Sequence, residues 1–186
     1  MLALALVWYL VVGFGGAAGF VVLRRLGFGD GAAAAAGRVV GWSFAGYAGW
    51  LAGLLGLAEW WLVALAATVA AWVLLRAHWR GVSLRPIGEV ELIGAATFVV
   101  LAALRFPAMA VTATEKPMDL AILATLLRGG ALPPGDPWLS GTALPYYYWG
   151  FVPWIAPARL LGLNPDVVFN LLVVTLAAVT AQAAWA

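Results

Sequence analysis

Repeated apolar runs, several of them about 20 residues long, constrain this chain more than any other feature. A bilayer core of about 30 Å needs about 20 helical residues to cross it. The opening run, 2–23, meets that length without a single charge. Backbone donors and acceptors in hydrocarbon have to be satisfied within the segment itself, so such runs form helices. Apolar residues make up 65% of the 186-residue chain and charged residues only 10%, with a mean hydropathy of +1.00. Soluble domains carry about 45–50% apolar and about 25% charged residues, so a soluble fold is excluded. With no cysteine, disulfides and thiolate metal sites are excluded too. The net charge of +2, with no basic run apart from span ends, gives nucleic acid no surface to bind.

The expected fold is all-α, a polytopic transmembrane helical bundle with about six spans, near 2–23, 39–57, 59–76, 87–104, 146–161 and 165–185. Met1-Leu2-Ala3-Leu4 lacks a basic leader region, so the first run reads as a span and not as a signal peptide. Trp60-Trp61 opens the third run as an interfacial aromatic pair. The fifth is short and carries Pro153 and Pro157, each of which removes a backbone donor. The sixth starts on Asn164, Pro165 and Asp166, residues suited to cap, first position and first turn. The chain is expected to form a single transmembrane domain, the N-terminal part of a longer protein, because 177–186 remains helical in character with no polar exit.

Basic residues set the expected orientation. Arg24, Arg25 and Arg38 follow the first span, Arg76, Arg80 and Arg85 the third, and Arg159 ends the fifth. These seven fall on one side if six spans alternate. Arg105, Lys116 and Arg128 fall on the other. The expectation is a multi-pass protein of the cell membrane, with the N-terminus and the 105–145 loop outside.

That loop holds three of the eight acidic residues, Glu115, Asp119 and Asp136. Residues 117–128 read as an interfacial helix. Pro117 suits its first position, Asp119 its first turn, and Leu120, Leu123 and Leu127 recur at helical spacing before Gly129-Gly130. A carboxylate at the membrane surface is able to act as general base toward a hydroxyl or to hold a divalent cation against a phosphate. Glu115 is the first candidate, Asp119 the second. Lys116 and Arg128 offer charge to a phosphate, and Tyr146, Tyr147 and Tyr148 offer hydroxyls and flat faces.

Each residue also has a plainer reading. Asp119 complements a helix dipole. Asp136, within Pro134-Gly135-Asp136-Pro137, suits a turn. The tyrosine triplet suits an aromatic belt, and at about 100° per residue its three rings cannot all face one site. Glu59 reads as solvated in a tight turn, His78 as solvated, and Glu89 as the partner of Arg85 one turn earlier. Glu91 is the one candidate for an ionisable group within a span.

Three blocks carry a resemblance: Glu115-Lys116-Pro117-Met118-Asp119-Leu120-Ala121, Leu132-Pro133-Pro134-Gly135-Asp136-Pro137-Trp138-Leu139-Ser140-Gly141, and Pro145-Tyr146-Tyr147-Tyr148-Trp149-Gly150. Together they resemble the YYY family, uncharacterised polytopic membrane proteins of archaea and chloroflexi named for the tyrosine triplet. The layout is also similar to the GT-C glycosyltransferases, whose first large outer loop carries an acidic motif, a helix along the membrane and an aromatic or Pro-rich block. This chain departs from their usual adjacent Asp-Glu pair, since Thr114 precedes Glu115, and its loop comes later in the chain.

The resemblance implies a glycosyltransferase that moves a sugar from a polyprenyl-phosphate donor on the non-cytoplasmic face. Glu115 or Asp119 would be the catalytic carboxylate. Lys116, Arg128, Asp136 and the tyrosines would bind substrate, with the bilayer as partner and a divalent cation as an optional cofactor. Two readings of other classes stay open: a transporter or lipid flippase, for which Glu91 alone offers a charge within a span, and a non-catalytic membrane scaffold.

Overall fold

The computed structural model describes residues 1–111, 116–145 and 147–186. Seven α-helices form it: α1 (Leu2–Arg25), α2 (Asp30–Leu54), α3 (Trp60–Leu75), α4 (Leu84–Arg105), α5 (Lys116–Arg128), α6 (Val152–Leu160) and α7 (Pro165–Trp185). No strand occurs among the described residues. Among the described residues, three helices are long and apolar enough to cross a membrane: α1, α4 with the turn that extends it to Ala108, and α7. The apolar helix α3 is shorter, at 16 residues.

Helices α1 and α2 form the closest pair, and glycine is the reason. A Cβ on Gly41 would lie 2.1 Å from the Gly15 carbonyl oxygen, and one on Gly19 would lie 2.2 Å from the Gly37 oxygen. Only hydrogen leaves room for backbones that near, which is how small residues serve helix association in lipid. Buried tryptophans fill the space beyond. Trp42 Nε1 donates to the Val12 carbonyl at 2.9 Å, and Trp8 Nε1 donates to Thr175 Oγ1 on α7 at 2.9 Å. Each indole brings its apolar area into the core without leaving its one donor unpaired.

Polar contacts define the two ends of the bundle. At one end Arg24 meets Asp30 at 2.7 Å and the carbonyls of His78 and Gly81, Arg25 contacts His78, and Asp30 accepts from the Ser83 amide. At the other, the Leu132 amide donates to Gly53, the Gly130 amide to Ala58, and Asn170 Nδ2 to Met109. Helices α1 to α4 and α7 each run between these ends.

Two expectations fail. The second helix begins at Asp30, well before residue 39, because the alanine run 32–36 propagates helix from an acidic first turn. Arg38 therefore stands inside α2, only 5% exposed, and not in a loop. The fifth expected span, 146–161, contracts to α6. Nine residues rise about 14 Å, less than half a bilayer core. Pro153 fixes its start, and Pro157 lies inside it.

The path of α6 has a second consequence. Gly46, midway down α2, packs against Pro153, whereas Arg159 Nη2 at the other end of α6 meets Glu59 at 3.3 Å, in the turn between α2 and α3. The segment enters from the loop end and returns to it. Arg159 thus joins Arg105, Lys116 and Arg128 at that end, and Glu59, exposed as expected, is its partner.

Candidate functional site

The loop end is built on α5. Pro117 and Asp119 occupy its first turn, where an acidic side chain meets the positive end of the helix dipole. Its apolar face, Ile122, Leu123 and Leu126, is fully buried against α6 and α7. These side chains are covered by protein, so α5 is docked on α6 and α7 and does not merely lie on lipid. The helix stops at Gly129, whose φ of +85° suits glycine, and a Cβ there would lie 2.4 Å from Arg159 Nη1.

Docking α5 places Asp119 at a groove between α6 and α7. The groove has a volume of about 150 Å³, and its walls are Gly150, Phe151, Trp154, Phe169, Leu172, Val173 and Leu176. One half-buried carboxylate at the rim of an apolar trough suits a ligand with a polar head and a hydrocarbon tail. Lys116, exposed, lies in the same first turn. Arg128, also exposed, lies twelve residues on, about 18 Å along the helix. The two basic residues therefore cannot share one phosphate, and Lys116 is the one beside Asp119.

The remaining candidates separate. Asp136 Oδ1 accepts the amides of Trp138 and Leu139 at 2.8 and 3.1 Å, a turn held by its own side chain. Tyr148 is half-buried, and its hydroxyl accepts from Trp50 Nε1 at 3.0 Å, tying the segment to α2. Tyr147 is 82% exposed and points elsewhere. Glu115 and Tyr146 lie outside the described residues. Among the described residues, no three His, Asp or Glu side chains gather to hold a metal ion.

The sequence reading missed a second polar cluster, within the bundle. Arg38 Nη2 pairs with Glu91 Oε2 at 2.6 Å, and Arg38 Nη1 donates to Gln182 Oε1 at 2.8 Å. Its guanidinium lies 4.5 Å from the centre of the Tyr9 ring, whose hydroxyl donates to the same Glu91 oxygen at 3.2 Å. The available signal was the unbroken helical character of residues 30–38, which carries Arg38 into the bundle toward the two polar residues of α4 and α7.

A family model described as "Uncharacterized membrane protein (DUF2298)" matches residues 44–186. The chain belongs to this family. The matched region contains α5, the Asp119 groove, Glu91 and Gln182, and it begins after Arg38. No curated protein and no solved structure matches the chain.

Proposed function

We propose that this membrane protein is a glycosyltransferase of the GT-C type, acting on a polyprenyl-phosphate-linked sugar at the bilayer surface. The observation that carries the reading is Asp119 at the rim of the apolar groove between α6 and α7, with Lys116 in the same helical turn. The groove suits the isoprenoid chain, and Lys116 suits the phosphate. In the transfer, an acceptor hydroxyl forms a bond to the anomeric carbon as the bond to the carrier's phosphate oxygen breaks. The hydroxyl proton passes to Glu115 or Asp119, and the carrier leaves as the phosphate. A divalent cation would rest on these same carboxylates against the phosphate, and no step is routed through it.

The layout supports the same reading. With α6 returning to the end it entered from, one long segment separates α4 from α7. It carries in order the acidic motif, a docked helix and the aromatic block. In this reading α1 to α4 and α7 cross the cell membrane, and the described residues between α4 and α7 lie at or dip into its outer face. Five basic residues, Arg24, Arg25, Arg76, Arg80 and Arg85, mark the cytoplasmic end against four at the other. This asymmetry is smaller than six spans would have given.

The test is sugar transfer from a polyprenyl-phosphate hexose in proteoliposomes of the full-length protein. Asp119→Asn and Glu115→Gln should each reduce transfer, and the double variant should abolish it. Unchanged transfer in the double variant would overturn the assignment. The transporter reading gains one observation, the Arg38–Glu91 pair inside the bundle. Substrate movement lost in Glu91→Gln but kept in the loop variants would favour it.

A further inference from the structure

A cleft of about 100 Å³ opens beside the Arg38–Glu91 pair, lined by Gly13, Gly16 and Ala17 of α1, Ala34 of α2, Trp79, and Ile87 of α4, with Phe20 beside Trp79. Arg38 is 95% buried by its 5% exposure, and its Nε has no hydrogen-bond partner. That donor lies against Gly13, one of the cleft's own walls: a Cβ on Gly13 would lie 3.8 Å from Nε and 3.4 Å from Nη2. Proteins rarely leave a buried donor unpaired, and one at the edge of a cavity marks a place for an acceptor. The charge of Arg38 is already balanced by Glu91, so the matching acceptor is uncharged. The rest of the wall is apolar, with Phe20 and Trp79 stacked at 5.0 Å.

We infer that this cleft is a second binding site, one that takes an uncharged, oxygen-headed amphiphile: a hydroxyl or carbonyl on an apolar body. The oxygen accepts from Arg38 Nε, and the body lies along Phe20, Trp79 and Ile87. Gly13 stands midway along α1, so the head is held within the apolar length of the bundle, where a lone oxygen has few other donors. The site is separate from the Asp119 groove at the loop end. It does not depend on the transferase reading.

Photolabelling of the full-length protein in lipid nanodiscs with a diazirine-bearing long-chain alcohol tests it. Label should map by mass spectrometry to the peptides bearing Phe20, Trp79 and Ile87. 1-Decanol should compete and decane should not. Competition by decanol and not by glycerol supports an amphiphile, and glycerol competing as well as decanol would overturn the apolar body. Gly13→Ala places a methyl over Nε without displacing Arg38 and should reduce labelling several-fold while thermal stability is retained. Arg38→Lys, which lacks Nε, should do the same if it folds. Labelling indifferent to Gly13→Ala, or decane competing as well as decanol, would overturn the inference.

Discussion

Arg38 on α2 and Glu91 on α4 meet at 2.6 Å within the apolar length of the bundle, although 53 positions separate them in the chain. Arg38 is almost wholly enclosed, whereas 37% of the Glu91 side chain is exposed. Their worth lies in the pairing. Two buried charges repay their desolvation only together, and removing one strands the other. Glu91→Gln should therefore destabilise the protein by about 3 kcal/mol, the low end for a broken buried pair because Glu91 is partly open. Arg38→Met with Glu91→Gln should recover most of the loss. Thermal unfolding of the three variants in one detergent checks this, and additive losses would show the pair to be uncoupled.

The return of α6 makes a prediction about sidedness. The chain has no cysteine, so single cysteines report cleanly. Trp138→Cys and Asp166→Cys should react with an impermeant maleimide from one face, and Arg80→Cys from the other. Six alternating spans would put position 166 with position 80. Labelling of Asp166→Cys from the Arg80 face would thus restore α6 as a crossing.

Helix packing predicts opposite outcomes for two glycines. Gly41→Ala drives a methyl into the Gly15 carbonyl and should cost about 1–3 kcal/mol, the usual penalty of overpacking. Gly88, in α4, has nothing within 4 Å of a Cβ. Gly88→Ala should be neutral or gain about 0.5–1 kcal/mol from helix propensity. The contrast is read from the two melting temperatures.

The basic residues of α5 should differ in function. Lys116→Ala should weaken binding of a phosphate-headed lipid, because Lys116 shares a helical turn with Asp119. Arg128→Ala, about 18 Å away along the helix, should leave it near the wild-type value. Titration with a short-chain polyprenyl phosphate measures both, and equal losses would remove Lys116 from its assigned role.

A smaller prediction concerns the tyrosine block. Tyr148→Phe leaves Trp50 Nε1 without its acceptor and should cost about 1 kcal/mol. Detachment of the segment from α2 should appear as faster hydrogen exchange after residue 147.

The sequence by itself determined that the chain is an all-α membrane protein, because apolar runs in lipid have one way to satisfy their backbones. It also located α5 almost to the residue. Pro117, Asp119 and Gly129 are local signals, and local signals survive whatever the rest of the chain does. It named Asp119 as a first-turn residue and offered Lys116 and Arg128 alike as phosphate partners. Only the tertiary structure decided that residues 152–160 turn back, because that depends on Arg159 finding Glu59 and on Pro153 seating against Gly46. Only the tertiary structure could tell Lys116 from Arg128, by docking α5 with one end at the groove. Arg38, too, became a core residue through partners on three other helices, and no pattern along α2 names them. Hydropathy is a property of segments and so is written in order along the chain. The pairing of buried charges is a property of helices brought together, so it emerges only when they pack.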